Sequence, residues 1–83
     1  MTLEDIKNKY GVEVELPSVS GISPLVKSQG YLIKARVSYS HKLGFYINTS
    51  GIWLNASEAR QYSKELLYAA DIVEALNKIY VAK

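Results

Sequence analysis

The tetrapeptide Asn55-Ala56-Ser57-Glu58 constrains this chain more than any other stretch. Asn55 is a favourable N-cap, and Glu58 at the third helical position completes a capping box. Leu54, just ahead of the cap, can pack on Ala59 as a hydrophobic staple. The spacing predicts a helix from Ala56 to about Tyr80, roughly 37 Å long at about 1.5 Å per residue. In a chain of 83 residues a rod of that length dictates the layout, because the remaining residues have to supply the surface it lies on.

At about 100° per residue, Ala59, Tyr62, Leu66, Ala69, Ala70, Val73, Leu76 and Tyr80 form one apolar stripe, the side expected to face a sheet. Tyr68, Ile72, Ala75 and Ile79 form a second stripe, whose line in the first half of the helix is held by Gln61 and Glu65. The polar strip left in the second half is Asp71, Glu74 and Lys78. That half is therefore apolar over more of its circumference than a surface helix requires. The second stripe needs a cover. An N-terminal helix through Leu3, Ile6 and Tyr10, the loop side chains Ile22, Leu25 and Val26, or another chain would serve.

Upstream, Thr2 caps a short helix that carries Leu3, Ile6 and Tyr10 on one face and stops at Gly11. Val12-Glu13-Val14-Glu15-Leu16 alternates as a strand with one wet face, ended by Pro17. Residues 17–29 hold both prolines of the chain and read as a long loop of functional interest. Gly30 to Ser40 alternates as the clearest strand, with Tyr31, Ile33, Ala35, Val37 and Tyr39 on one side and Leu32, Lys34, Arg36 and Ser38 on the other. A turn at Ser40-His41-Lys42 leads to Leu43, Phe45 and Ile47 on one face of the next strand, with Gly44, Tyr46 and Asn48 opposite. A turn at Thr49-Ser50-Gly51 precedes a short third strand, Ile52-Trp53-Leu54. The expected fold is a single α+β domain over residues 1–83. It comprises a short N-terminal helix, an antiparallel sheet of three to four strands, and one long C-terminal helix packed on that sheet.

The net charge of +2 conceals an uneven layout. Residues 1–16 balance at −2 and residues 55–83 at 0, whereas residues 17–54 hold Lys27, Lys34, Arg36 and Lys42 and no acid. The centre of the chain is thus electropositive. The chain has no cysteine, which excludes disulfide frameworks and thiolate metal sites. Met1-Thr2-Leu3-Glu4-Asp5 lacks the basic-then-apolar pattern of a secretory signal, and no apolar run approaches the ~18 residues of a membrane span. These features lead to the expectation of a cytoplasmic protein without membrane association.

Catalytic motifs are missing: there is no glycine-rich phosphate loop, no G-x-S-x-G, no H-E-x-x-H and no zinc spacing. His41, the single histidine, falls in a turn with no acid in its segment to orient it. Asp71 and Glu74 share a polar strip with Arg60, Lys64 and Lys78, as a solvated face would. The expectation is a protein that is not an enzyme, with no cofactor, metal or small-molecule substrate. Two candidate surfaces are left. One is the stripe Tyr68, Ile72, Ala75 and Ile79, as a face for a host protein or a second copy of the chain. The other is the sheet face of Lys34, Arg36 and Ser38 with Tyr46, Asn48 and Trp53. There, cations could meet phosphates while rings stack on bases of single-stranded nucleic acid, or an acidic partner could dock.

The segment GIWLNASEARQYSKELLYAADIVEAL, residues 51–76, adds a resemblance. Trp53-Leu54, Glu58-Ala59-Arg60 and Leu66-Leu67-Tyr68-Ala69-Ala70 are similar to a pattern of small phage and mobile-element proteins. In these a β-hairpin ends in W-L-[ST]-x-x-E-A-R and runs into an alanine- and leucine-rich helix. Asn55 stands where the usual cap is Ser or Thr. The resemblance implies a small non-enzymatic protein of a host cytoplasm that binds and modulates, by inhibition, a host macromolecule. It implies no functional residue. The leading expectation is accordingly an interaction protein that engages a host protein or itself as a homodimer. The alternative is a nucleic-acid-binding module that uses the basic, aromatic face.

Overall fold

The structure, a computed structural model, describes residues 1–49 and 51–81. In chain order it holds α1 (Leu3–Tyr10), β1 (Val12–Glu15), β2 (Leu25–Gln29), β3 (Arg36–Ser40), β4 (Gly44–Asn48) and α2 (Ala56–Ile79). β1 pairs antiparallel with β2, and β3 with β4, giving two two-stranded sheets. The class is α+β, with a short first helix and a long last one.

Both helices start as their sequences dictate. The Asp5 N–H donates to Thr2 Oγ1 at 3.2 Å and the Thr2 N–H to Asp5 Oδ2 at 2.9 Å. The Glu58 N–H donates to Asn55 Oδ1 at 2.8 Å and the Asn55 N–H to Glu58 Oε1 at 3.3 Å. Two such boxes satisfy donors that a helix start otherwise leaves open. α1 stops at Gly11, whose φ of 72° is the left-handed value that glycine adopts without strain. The backbone of Gly30 crosses that of Gly11 so closely that a Cβ on Gly30 would collide with Tyr10 O and Gly11 O. The crossing is fastened by the Tyr31 N–H donating to Tyr10 O at 3.2 Å and by Ser28 Oγ donating to Gly11 O at 3.3 Å.

The strands differ from the sequence expectation in three places. First, Leu25–Gln29 is a strand inside the stretch read as a loop. Its apolar pattern is weak because Leu25 and Lys27 are exposed and Val26 only half-buried; register with β1 and a Lys27–Glu15 ion pair at 3.6 Å define it instead. Second, the strand read as Gly30–Ser40 begins only at Arg36. Leu32 and Ala35 are both buried while Tyr31 and Ile33 between and beside them are exposed, so the period over this stretch is not two. Third, Ile52–Leu54 joins no sheet among the described residues. Ser50 of the expected turn at residues 49–51 lies outside the described residues.

Side-chain amides complete the hydrogen bonding of the β3–β4 hairpin. The Val37 N–H donates to Gln29 Oε1 at 2.9 Å while Gln29 Nε2 donates to Val37 O at 3.1 Å. The Phe45 N–H donates to Asn77 Oδ1 at 2.9 Å while Asn77 Nδ2 donates to Phe45 O at 3.1 Å. Each amide does what a neighbouring strand would do for one residue, which ties the hairpin to β2 on one edge and to α2 on the other.

The core gathers Ile6 and Tyr10 of α1, Val12 of β1, Leu32, Ala35, Val37, Phe45, and Ala69, Ile72 and Leu76 of α2. The buried line of α2 is Glu65, Ala69, Ile72 and Leu76. This line runs between the two stripes read from the sequence, so those stripes are the two shoulders of one broad face. Tyr62, Leu66, Val73 and Tyr80 flank it as partly buried neighbours, and Ala70, expected to face the sheet, is exposed.

Candidate interaction surface

The surface is built from the bent segment ahead of β3. The N–H groups of Ile33, Lys34 and Ala35 all point at Glu65 Oε1, at 2.7, 2.8 and 3.3 Å. Three successive amides converging on one oxygen form a concave anion seat, and here the anion is the protein's own. Glu65 is 2% exposed. Burial alone would raise its carboxyl; the backbone N–H groups of Lys34, Ile33 and Ala35, helped by the Lys34 charge, outweigh this and hold it below the usual carboxylate range. With its backbone turned inward, the segment presents Ile33 outward at 71% exposure.

A second clamp lies one step further out. Lys34 Nζ pairs with Glu58 Oε2 at 3.4 Å. The Asn55 backbone N–H first, and Lys34 second, hold the Glu58 carboxyl below its ordinary range. The stretch that leads into the Asn55 cap then brings Trp53 beside this segment with 95% of its surface exposed. Ile33, Lys34, Arg36, Asn48, Gly51, Ile52 and Trp53 together line an open depression of about 440 Å³. Arg36 is opposite Asn48 in the hairpin register. It is exposed and has no ion-pair partner among the described residues.

Lys34, Arg36 and Trp53 are thus brought together, as the sheet-face reading expected. Ser38 and Tyr46 do face each other across the hairpin and share its side with Arg36 and Asn48, but they lie further along and do not line the depression. Ile33 and Ile52 belong to the surface and were missed. Strict alternation put Ile33 inward with Ala35, and Ile52 was assigned to a strand. Glu65 was missed as well, although its place on the line Glu65, Ala69, Ile72 and Leu76 was a legible signal.

The second stripe of α2 requires a correction. Ile72 is 0% exposed and belongs to the core cluster with Ile6 and Tyr10. Tyr68 packs its ring against Tyr10 at 5.5 Å between centroids, and the Tyr10 hydroxyl donates to Asp71 Oδ2 at 3.2 Å. Ala75 is half-buried. The cover for this stripe is α1. Tyr68 and Ile79 keep partial exposure, which leaves no continuous apolar face there.

Elsewhere, Ser23 Oγ and His41 Nε2 lie 3.1 Å apart at an exposed position, with the imidazole edge-on to Tyr39 at 5.8 Å. No carboxylate pairs with His41 among the described residues. Among those residues no group of three or more His, Asp or Glu could hold a metal ion, and no helix is long and apolar enough to cross a membrane. Comparison with protein-family models, with curated proteins and with solved structures finds no match.

Proposed function

We propose that this chain is a non-enzymatic binding module that docks on another macromolecule, a protein, through the face of Trp53, Ile33 and Arg36. The observation that carries the reading is Trp53, 95% exposed beside Ile33 at 71% and beside Arg36, which has no ion-pair partner among the described residues. The exposed side chains of Trp53 and Ile33 gain little from burial in this fold, and Trp and Arg are the residues that dominate binding energy when a partner buries them. Glu65 holds the segment's backbone in place, so the face is organised before any partner arrives, which lowers the cost of association. The resemblance of residues 51–76 to small phage and mobile-element proteins points the same way, toward modulation of a host macromolecule.

The test is affinity capture from host lysate with four single variants. Trp53→Ala and Ile33→Ala should each lose the captured protein, whereas Tyr68→Ala and Ile79→Ala should keep it. Sizing of the chain alone shows whether the captured species is a second copy. Capture that survives Trp53→Ala and Ile33→Ala, or that vanishes with nuclease, contradicts the reading.

A further inference from the structure

We propose that the ligand of the Trp53 depression is an acidic segment of a partner protein, with an apolar side chain seated between Trp53 and Ile33 and a carboxylate on Arg36. This rests on the reading of that face as a docking surface. The lining is apolar on one side: Trp53 stands almost fully in water, Ile33 is largely exposed, and Ile52 lines the depression with them. An inserted leucine or phenylalanine would dehydrate all three.

The charged half is complementarity. Both ionic groups in the lining, Lys34 and Arg36, are cations, and residues 17–54 contain no acid. The carboxylate next to the rim, Glu58, already engages Lys34 at 3.4 Å, while Arg36 has no ionic partner among the described residues. A guanidinium offers a planar fork that takes both oxygens of a carboxylate. Asn48, opposite Arg36 in the hairpin, adds an amide donor and acceptor for a peptide backbone. A single-stranded nucleic acid fits less well. Among the described residues that line the depression it would find one stacking ring, Trp53, and, with Lys34 engaged, Arg36 as the one cation without an ion pair, where such binding rests on a track of cations along many phosphates.

The experiment uses the full chain and its single tryptophan as reporter. The probes are a synthetic peptide alternating glutamate with leucine and phenylalanine, the same peptide with lysine for glutamate, a glutamate–serine peptide, and oligothymidylate. The acidic apolar peptide should shift Trp53 emission to the blue and shield it from iodide. The lysine version should bind at least about tenfold more weakly, and Arg36→Ala should weaken the acidic peptide by about tenfold, as loss of a charge-assisted fork requires. Arg36 is exposed, so a circular dichroism spectrum unchanged in the variant certifies its fold. Equal binding of the lysine peptide, equal binding of the glutamate–serine peptide, or tighter binding of oligothymidylate would overturn the proposal. If the acidic peptide fails while Trp53→Ala still abolishes capture of a cellular protein, the ligand chemistry is wrong and the docking face stands. If Trp53→Ala leaves that capture intact, the docking face itself is wrong.

Discussion

Replacing Glu65 by alanine removes the acceptor of three backbone N–H groups in the segment that shapes the binding face. Two of the bonds are short, at 2.7 and 2.8 Å, and the third is long at 3.3 Å. A hydrogen bond to a charged group contributes about 1.5–3 kcal/mol net, so the two short ones alone amount to about 3–6 kcal/mol. A domain of this size has a total stability on the order of 4–12 kcal/mol. Glu65→Ala should therefore bring the chain close to unfolding. Glu65→Gln keeps a neutral acceptor and should cost about half as much, since charge-assisted bonds are roughly twice as strong as neutral ones. Urea titration followed by far-ultraviolet circular dichroism is the assay; Trp53 emission is a poor folding probe because the ring is already exposed in the native state. Amide exchange at residues 33–35 should accelerate in Glu65→Gln before the global transition moves. A Glu65→Ala midpoint equivalent to within about 0.5 kcal/mol of the parent, as for an ordinary surface change, would refute the clamp.

The same carboxylate shapes the acid limit. Its folded-state pKa lies below the ordinary 4.5, so its contribution is complete above that value and is lost as pH falls through the folded pKa. Glu65→Gln should flatten the fall in urea midpoint on acidification, and equal slopes in both proteins would contradict this. Gly30→Ala forces a side chain into φ 58° and onto the Tyr10–Gly11 backbone, and thermal melting should show a loss of at least about 2 kcal/mol. Ile72→Ala should cost about 2–5 kcal/mol as a core deletion, and Ile72→Glu should abolish folding. Ile79→Glu, at the partly exposed end of the same stripe, should melt close to the parent.

Local chemistry was readable from the chain; choices between equivalent surfaces were not. The caps at Thr2 and Asn55, the stop at Gly11 and the β3–β4 hairpin follow from residues within a few positions of one another. Placement of α2 depended on partners far along the chain. With apolar residues on both shoulders, the sequence alone could not say that α1 covers one of them, and so Ile72 looked like an interface residue. Glu65 looked solvent-bound because a glutamate on a helix usually is; only the turn at residues 33–35 gives it buried partners. That turn also broke the alternation that had placed Ile33 inside. β2 escaped notice because two prolines precede it and its pairing with β1 carries little hydrophobic pattern. Lys34, Arg36 and Trp53 were legible as a set because alternation puts Lys34 and Arg36 on one side of a strand and turns Trp53 away from Ile52 and Leu54.

The central claim concerns the face where Trp53 stands, and one spectrum reads it directly. In a proton–nitrogen correlation spectrum the single tryptophan gives a single indole N–H signal, next to the amides of the isotope-labelled chain. On addition of the captured partner, that indole signal and the amides of residues 33–36, 48 and 51–53 should shift or broaden together, while those of residues 68 and 79 stay in place. An indole signal that does not move, with changes centred on residues 68 and 79, would contradict the account.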